Sequence, residues 1–408
     1  MPRPVSFFLK AVLLACLLLL MISGYKHGLF HLISTNPAAQ FTYFGIAVLY
    51  FLGTSPSRFE SMLVVIGGVL LVWLLPLARP SDFPGESIAR IGAFVGIAGL
   101  VAMCGRAIVS PNREAALGTL ARSLIFVVLG IVLGTMLEAS SAARPLKYDN
   151  FLYSVDLRFG APLSFIVGRW FRAWLPFGHF EAVIYHSLPL ALAVLYGAHL
   201  RRDKESPVDV LMLLALNATA GYALYFLYPA SGPAYAFPQS FPGAAPIAGQ
   251  IPLEMVRLNA PPNAMPSLHM AGAVLIWWNS RFWRIGSIVA FAYMLLTALS
   301  ALGFGEHYFL DLVVAFPFAL AMQAAATSSR NRWPVMAAGA ALTGSWILAL
   351  LYQIKLMVSI PVWLMWGLAL ISVGIPLVVK TKLLRQEEKS EAALSLVPFR
   401  ELARENRY

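Results

Sequence analysis

The chain has 408 residues, 59% of them hydrophobic and only 12% charged, with a mean hydropathy of +0.73. A soluble domain carries roughly 25% charged residues, so a water-soluble enzyme is excluded and an all-α polytopic membrane protein is expected, with spans of about 20 apolar residues. The net charge of +11 does not point to nucleic acid, because the basic residues sit in short loops where the positive-inside rule accounts for them.

In chain order, the first apolar run is Phe7 to Ile22, beside Arg3 and Lys10. It lacks a small-residue cleavage site, so it reads as an uncleaved first helix. Leu13-Leu14-Ala15-Cys16 faintly resembles a lipoprotein box, but four leucines continue the run after Cys16. Further apolar runs lie near 40–53, 60–78, 88–105, 116–138, 181–199, 208–228, 268–280, 285–303, 309–327, 335–353 and 360–379, giving about twelve transmembrane helices. The two cysteines, Cys16 and Cys104, both fall inside apolar runs, which offers neither a disulfide framework nor a zinc cluster. From Lys380 to Tyr408 charges alternate with leucines, the pattern of an amphipathic surface helix.

The basic residues assign sides. Arg3/Lys10, Arg58, Arg106/Arg113/Arg122, Arg201/Arg202/Lys204, Arg281/Arg284, Arg330/Arg332 and Lys380/Lys382/Arg385 occupy alternate loops, which are therefore expected to be cytoplasmic. The complementary loops are poor in Lys and Arg: residues 229–267 have only Arg257, and 304–308 have none. Both face the extracytoplasmic side in this reading, which fits a bacterial inner membrane and equally a Golgi-type lumenal site. One outer segment, 141–180, carries Arg144, Lys147, Arg158, Arg169 and Arg172 among aromatics, with Asp149, Asp156 and His179. It reads as an interfacial helix with snorkelling arginines, or as a basic lid that draws anionic lipid headgroups.

Two polar islands stand at loop-to-span boundaries. In Met265-Pro266-Ser267-Leu268-His269 a proline is well placed in a first helical turn. Ser267 and His269 are then expected in that turn, where unpaired backbone N–H groups and the helix dipole favour an anion. In Gly305-Glu306-His307-Tyr308-Phe309-Leu310-Asp311 the four-residue spacing lets His307 and Asp311 touch on one helix face. A carboxylate bound to one ring nitrogen fixes the tautomer and leaves the other as nucleophile or base. The bland alternative is a hydrogen bond that satisfies two polar residues at a span's end. Asp311 argues against it, because an aspartate just inside an apolar run is costly and usually functional. Metal binding by the two histidines and the aspartate lacks a further ligand cluster. His186 and the tyrosines 222, 225 and 228 read as packing residues, with Tyr228 a candidate for the mouth of the site.

Pro266-Ser267-Leu268-His269 followed by His307-Tyr308-Phe309-Leu310-Asp311 resembles the active-site pair of the type-2 phosphatidic acid phosphatase superfamily. The His-Tyr-x-x-Asp form most resembles its inositol phosphorylceramide synthase and sphingomyelin synthase branch. The resemblance implies a six-helix phosphatidic acid phosphatase-like core over residues 116–327. About four N-terminal spans (1–115) would precede it; two C-terminal spans (328–380) and a cytoplasmic tail (381–408) would follow. It also implies that His307 attacks phosphorus, Asp311 orients His307, His269 protonates the leaving group and then deprotonates the acceptor, and Ser267 binds a phosphoryl oxygen. Neither a metal nor another cofactor is implied, and the partners are membrane lipids.

Two departures stand out. Arg144-Pro145 matches part of the phosphatases' first motif, but Leu137 stands where its lysine would be. Family order would instead put that motif at Tyr228-Pro229-Ala230-Ser231-Gly232-Pro233, which has no basic residue. Ser300 is present, yet Ala301 replaces the arginine of the second motif. Arg257, backed by Arg144 and Lys147, is the candidate counter-charge for phosphate. The implied activity is lipid phosphotransfer, plausibly of phosphoinositol to a lipid alcohol. The competing readings are a lipid phosphate or polyprenyl diphosphate phosphatase, and a non-enzymatic lipid or ion transporter.

Overall fold

The computed structural model describes residues 36–74, 85–109, 113–201, 208–329 and 331–395. The expected span at 7–22 and the end of the tail lie outside them. The first described helices are α1 (Pro37–Thr54), α2 (Arg58–Leu74), α3 (Glu86–Val109) and α4 (Arg113–Ala143). Their starts follow from local chemistry. Asn36 caps α1 by accepting from Ala39 N at 3.1 Å, with Pro37 in the first turn. Before α2, Ser57 and Glu60 exchange hydrogen bonds between side chain and backbone N–H in both directions, a capping box. α3 packs against α1, α2 and α4, and Gly96 lets it approach the backbone of α1 at Tyr43.

The second half holds α5 (Asp149–Asp156), α6 (Leu163–Ala173), α7 (Leu175–His186), α8 (Leu188–Leu200), α9 (Val210–Leu227), α10 (Leu268–Asn279), α11 (Arg284–Gly303), α12 (Phe309–Ala325), α13 (Arg332–Tyr352) and α14 (Val362–Ser395). A two-stranded antiparallel ribbon, β1 (Leu146–Lys147) with β2 (Val256–Arg257), pairs Leu146 with Arg257 and Lys147 with Val256. α10 lies in the middle of this half, against α8, α9, α11 and α12; α12 in turn packs on α9, α13 and α14. Almost every residue of α10 and α12 is buried. That explains why the apolar run at 268–280 is too short to cross a bilayer alone: the helix is a core element enclosed by its neighbours.

The protein is an all-α polytopic membrane protein. Among the described residues, five helices are long and apolar enough to cross a membrane: α3, α9, α11, α13 and the first twenty residues of α14. The pair α7 and α8, bent by 52° at Ser187, would make a sixth. The expected run at 181–199 is thus a broken element, and the expected total of twelve remains an expectation. Residues 381–395, the described part of the expected tail, continue α14 without interruption, since no glycine or proline breaks that stretch. In the basic outer segment, α6 buries Ser164, Phe165, Gly168 and Phe171 and exposes Arg169, Trp170 and Arg172, an amphipathic helix of the interfacial kind.

Candidate active site

The site forms where the N-termini of α10 and α12 meet. Pro266 is not helical; α10 begins at Leu268, and Ser267 is its N-cap, with its Oγ accepting from Met270 N at 3.2 Å. Ser267 therefore caps the first turn from outside, a correction of its expected place within that turn. Its backbone N–H donates to the Asp311 carbonyl at 3.2 Å, which stitches the start of α10 to the first turn of α12. His269 lies within α10, stacked on Tyr185 of α7 with ring centroids 4.1 Å apart.

His307 precedes α12, whose N-cap is Tyr308. His307 and Asp311 meet as expected, but His307 does so from just before the helix and not from within it. His307 Nδ1 lies 2.9 Å from the carbonyl of Ala264, whereas Asp311 Oδ2 is 3.6 Å away, beyond hydrogen-bond range. Asp311 Oδ2 instead accepts from Tyr308 N at 2.7 Å. The carboxylate thus acts on the imidazole by charge, and a backbone carbonyl fixes the ring. Because that carbonyl can only accept, Nδ1 carries the hydrogen and Nε2 presents its lone pair. His307 is fully buried, and its Nε2 has no protein partner. The rings of His307 and His269 stand 6.2 Å apart, centroid to centroid.

Other unpaired buried atoms lie on residues of the same region: Asp311 Oδ1, Ser231 Oγ, Tyr228 Oη and Asn263 Oδ1. Unpaired buried polar atoms are few in a folded protein and each calls for an explanation. Several of them around a buried imidazole fit a polar ligand. Tyr228 is fully buried and stacks on Tyr148 at 4.5 Å, so it belongs to the floor of this region rather than to a mouth.

Two buried aspartates that no motif announces build the frame. Asp149, at the start of α5, accepts from Ser231 N, from Gly232 N at 2.8 Å and from Tyr308 Oη at 3.0 Å. It holds the loop 229–233 against the start of α12. Gly232, at φ +103°, lets that loop touch the Glu306 carbonyl, where a Cβ would collide. Asp156, at the end of α5, accepts from Leu310 N at 2.9 Å. Burial raises both carboxyls, Asp149 to about 6 and Asp156 to about 8. Ser164 Oγ donates to the His307 carbonyl at 3.0 Å. The sequence did contain a signal for the aspartates, two acidic residues in a basic aromatic segment, but it was outweighed by the arginines around them.

The three basic candidates do not join this cluster. Arg257 is exposed on β2, and Arg144 is exposed with its guanidinium 4.3 Å from the Phe226 ring. Lys147 is buried, with Nζ donating to the Arg144 carbonyl at 2.7 Å. Burial lowers its pKa to about 8 while the nearby Asp149 charge opposes that shift. Where the phosphatases' second motif has Ser-Arg, Ser300 donates to Glu181 at 2.5 Å and Ala301 is buried, so the missing guanidinium is not replaced there.

No curated protein and no solved structure matches the chain significantly. Over residues 150–325, from α5 to the end of α12, the chain matches the family model of the PAP2 superfamily, which supports phosphatase- or phosphotransferase-type chemistry in general.

Proposed function

We propose that the protein is a membrane lipid phosphotransferase working through a phospho-histidine intermediate. The observation that carries this reading is His307: its Nδ1 is tied to a backbone carbonyl, its Nε2 has no protein partner, and His269 lies 6.2 Å away. A phosphorus atom between the two rings can be approached by Nε2 on one side while His269 serves the opposite oxygen. In the first half-reaction the Nε2 lone pair forms a bond to phosphorus, the bond to the diacylglycerol oxygen breaks, and His269 gives that oxygen a proton. In the second, His269 takes the proton of the acceptor hydroxyl, the new oxygen–phosphorus bond forms, and His307 leaves with its electron pair.

Asp311 stabilises the positive charge on His307 during phosphorylation, and the Ser267 hydroxyl donates to a phosphoryl oxygen. Fixed dipoles aimed at the developing charge are an effective source of transition-state stabilisation. Arg257 and Arg144 serve as an outer attraction for an anionic headgroup, whereas Lys147 is buried and bound to the Arg144 carbonyl. The donor is a phospholipid and the acceptor a lipid alcohol such as ceramide or diacylglycerol; phosphoinositol is the headgroup that the motif resemblance implies. The site would open to the extracytoplasmic face, as the distribution of basic loops suggests.

The test uses purified protein and His307→Ala in detergent with mixed lipids, following headgroup fate by phosphorus NMR and mass spectrometry. The expected result is a new phospholipid with released diacylglycerol, and a loss of at least about 1,000-fold in the variant. Release of inorganic phosphate would make water the acceptor and the protein a phosphatase; release of a water-soluble phosphomonoester would make it a phosphodiesterase of the phospholipase C type. Equal inactivity of both proteins would overturn the enzymatic reading and return the transporter to consideration.

A further inference from the structure

The segment 141–180 places five basic residues where the alternation of basic loops would leave few. The structure accounts for three of them. Arg144 lies over the Phe226 ring, Lys147 donates to the Arg144 carbonyl, and Arg158 Nε donates to the Ile360 carbonyl at 2.8 Å. The other two stand on α6. Arg169 gives one N–H to the Gly243 carbonyl at 3.0 Å, and Arg172 has no hydrogen-bond or ion-pair partner among the described residues. Both side chains are exposed, and the mechanism above uses neither.

Three residues apart, Arg169 and Arg172 share one face of the helix. Beside them Trp170 is 64% exposed; Trp174, which ends the helix, is 62% exposed and stacks on Phe177 at 5.2 Å. Residues 157–180 contain no aspartate or glutamate, so no carboxylate of this stretch competes for the guanidinium groups. Exposed indoles belong at the headgroup level of a bilayer, where one edge is wet and the other apolar. Two guanidinium groups at the same level call for an anion, and phosphate oxygens accept their forked N–H groups. A zwitterionic headgroup cancels its phosphate with its own cation; an anionic phospholipid keeps the charge. The opposite face of α6 is a wall of the site. Ser164 Oγ donates to the His307 carbonyl at 3.0 Å, Phe165 is fully buried against Phe241, and Gly168 lets the helix close on Pro242, where a Cβ would collide.

We infer that the face of α6 bearing Arg169 and Arg172 is a docking surface for anionic phospholipid headgroups of the surrounding bilayer, and that this contact seats the helix that braces His307. The docked lipid is a bystander: it meets the outer face of α6, while the reacting lipid meets the histidines beyond the inner one. The docking surface does not depend on the chemistry of the site; its effect on turnover rests on the transferase reading.

The experiment places the full-length protein in phosphatidylcholine nanodiscs with and without phosphatidylglycerol, at constant donor and acceptor. Photoactivatable phosphatidylglycerol and phosphatidylcholine, each with the same diazirine near its headgroup, report contact with α6 through mass spectrometry of the labelled peptides. At low salt the labelling of α6 should favour phosphatidylglycerol about 25-fold, two arginines at about fivefold each, and the preference should shrink at high salt. Arg169→Gln combined with Arg172→Gln should bring the two lipids near parity. Should the double variant not fold, Arg172→Gln alone should lower the preference about fivefold. In the parent, phosphatidylglycerol should raise kcat at least about fivefold, the lower end of ordinary coupling between sites, and the double variant should not respond. Equal labelling by the two lipids, or a preference that the variants keep, overturns the docking surface. A kcat that ignores phosphatidylglycerol while the labelling preference holds overturns the link to His307. Labelling needs no turnover, so a parent inactive on every donor overturns the transferase reading while the labelling still decides the docking surface.

Discussion

The helices α10 and α12 bury polar side chains at both of their ends, and the two ends are built in opposite ways. At the far end, Asn279 and Gln323 exchange amide hydrogen bonds at 2.7 and 3.1 Å, His199 Nε2 lies 2.8 Å from the Asn279 carbonyl, and Lys380 of α14 donates to the Trp278 carbonyl at 2.8 Å. The lysine also sits 4.9 Å from the Trp278 ring, a cation placed at a helix C-terminus where the dipole favours it. At the near end, His307 Nε2, Asp311 Oδ1, Ser231 Oγ and Asn263 Oδ1 lack partners. The far end is chiefly self-satisfied glue, although Trp278 Nε1 there lacks a hydrogen-bond partner. The near end leaves these buried polar atoms open, as the proposed phosphoryl site requires. Burial and polarity do not tell the two ends apart; their hydrogen bonding does.

If that contrast is sound, variants at the two ends fail differently. His307→Ala produces the largest effect, the loss of turnover described above, in a protein that still melts well above the assay temperature although the Ala264 carbonyl loses its partner. Asn279→Ala or Gln323→Ala leaves one buried amide unpaired, which costs about 1–3 kcal/mol of stability, while kcat per folded molecule stays near that of the parent. The double variant should be less destabilised than the sum of the two, as expected for contacting partners. Thermal melts with matched turnover assays check both ends. A stable but inactive Asn279→Ala would erase the distinction.

The near end was partly legible in the sequence. Ser267, His269, His307 and Asp311 declared themselves because polar residues at the start of apolar runs are costly, and Pro266 marks a helix start. The break at Ser187 also had a signal, Leu188-Pro189 inside an apolar run, since a proline inside a helix removes a donor. What fixes His307 had none: the acceptor is the main-chain carbonyl of Ala264, and a backbone group leaves no mark on composition. The roles of Asp149 and Asp156 were equally hidden. Their donors lie at 231, 232, 308 and 310, so the contacts exist only after α5 has folded back onto α12.

Those two aspartates give the near end a pH signature. Burial is the first cause of both shifts, and it raises each folded pKa above the ordinary value of 3.8, to about 6 for Asp149 and about 8 for Asp156. A carboxyl with a raised folded pKa contributes most below its unfolded pKa, and that contribution is lost as pH rises through the folded value. The melting temperature should therefore fall from about pH 4, less steeply once pH passes about 6, and level off above about 8. Asp156→Asn keeps an oxygen to accept from Leu310 N and cannot ionise, so it should abolish the fall between about pH 6 and 8. A melting temperature that stays level across this range in the parent protein would show that neither carboxyl limits its stability.

The smallest effect belongs to Arg257, the only basic residue of the loop 229–267. It is exposed on β2 opposite Leu146, so its charge acts through solvent and is screened within about 10 Å at 0.1 M salt. Arg257→Ala should raise KM for an anionic donor about two- to fivefold at low salt, the range of exposed charge interactions, and have no effect at high salt. kcat should not change, because an outer charge helps the lipid arrive and does nothing for phosphorus in flight. A tenfold fall in kcat would mean that the loop carries this guanidinium to the phosphoryl group during turnover. The counter-charge would then be an arginine after all, supplied by a moving loop instead of the dipoles fixed at the starts of α10 and α12.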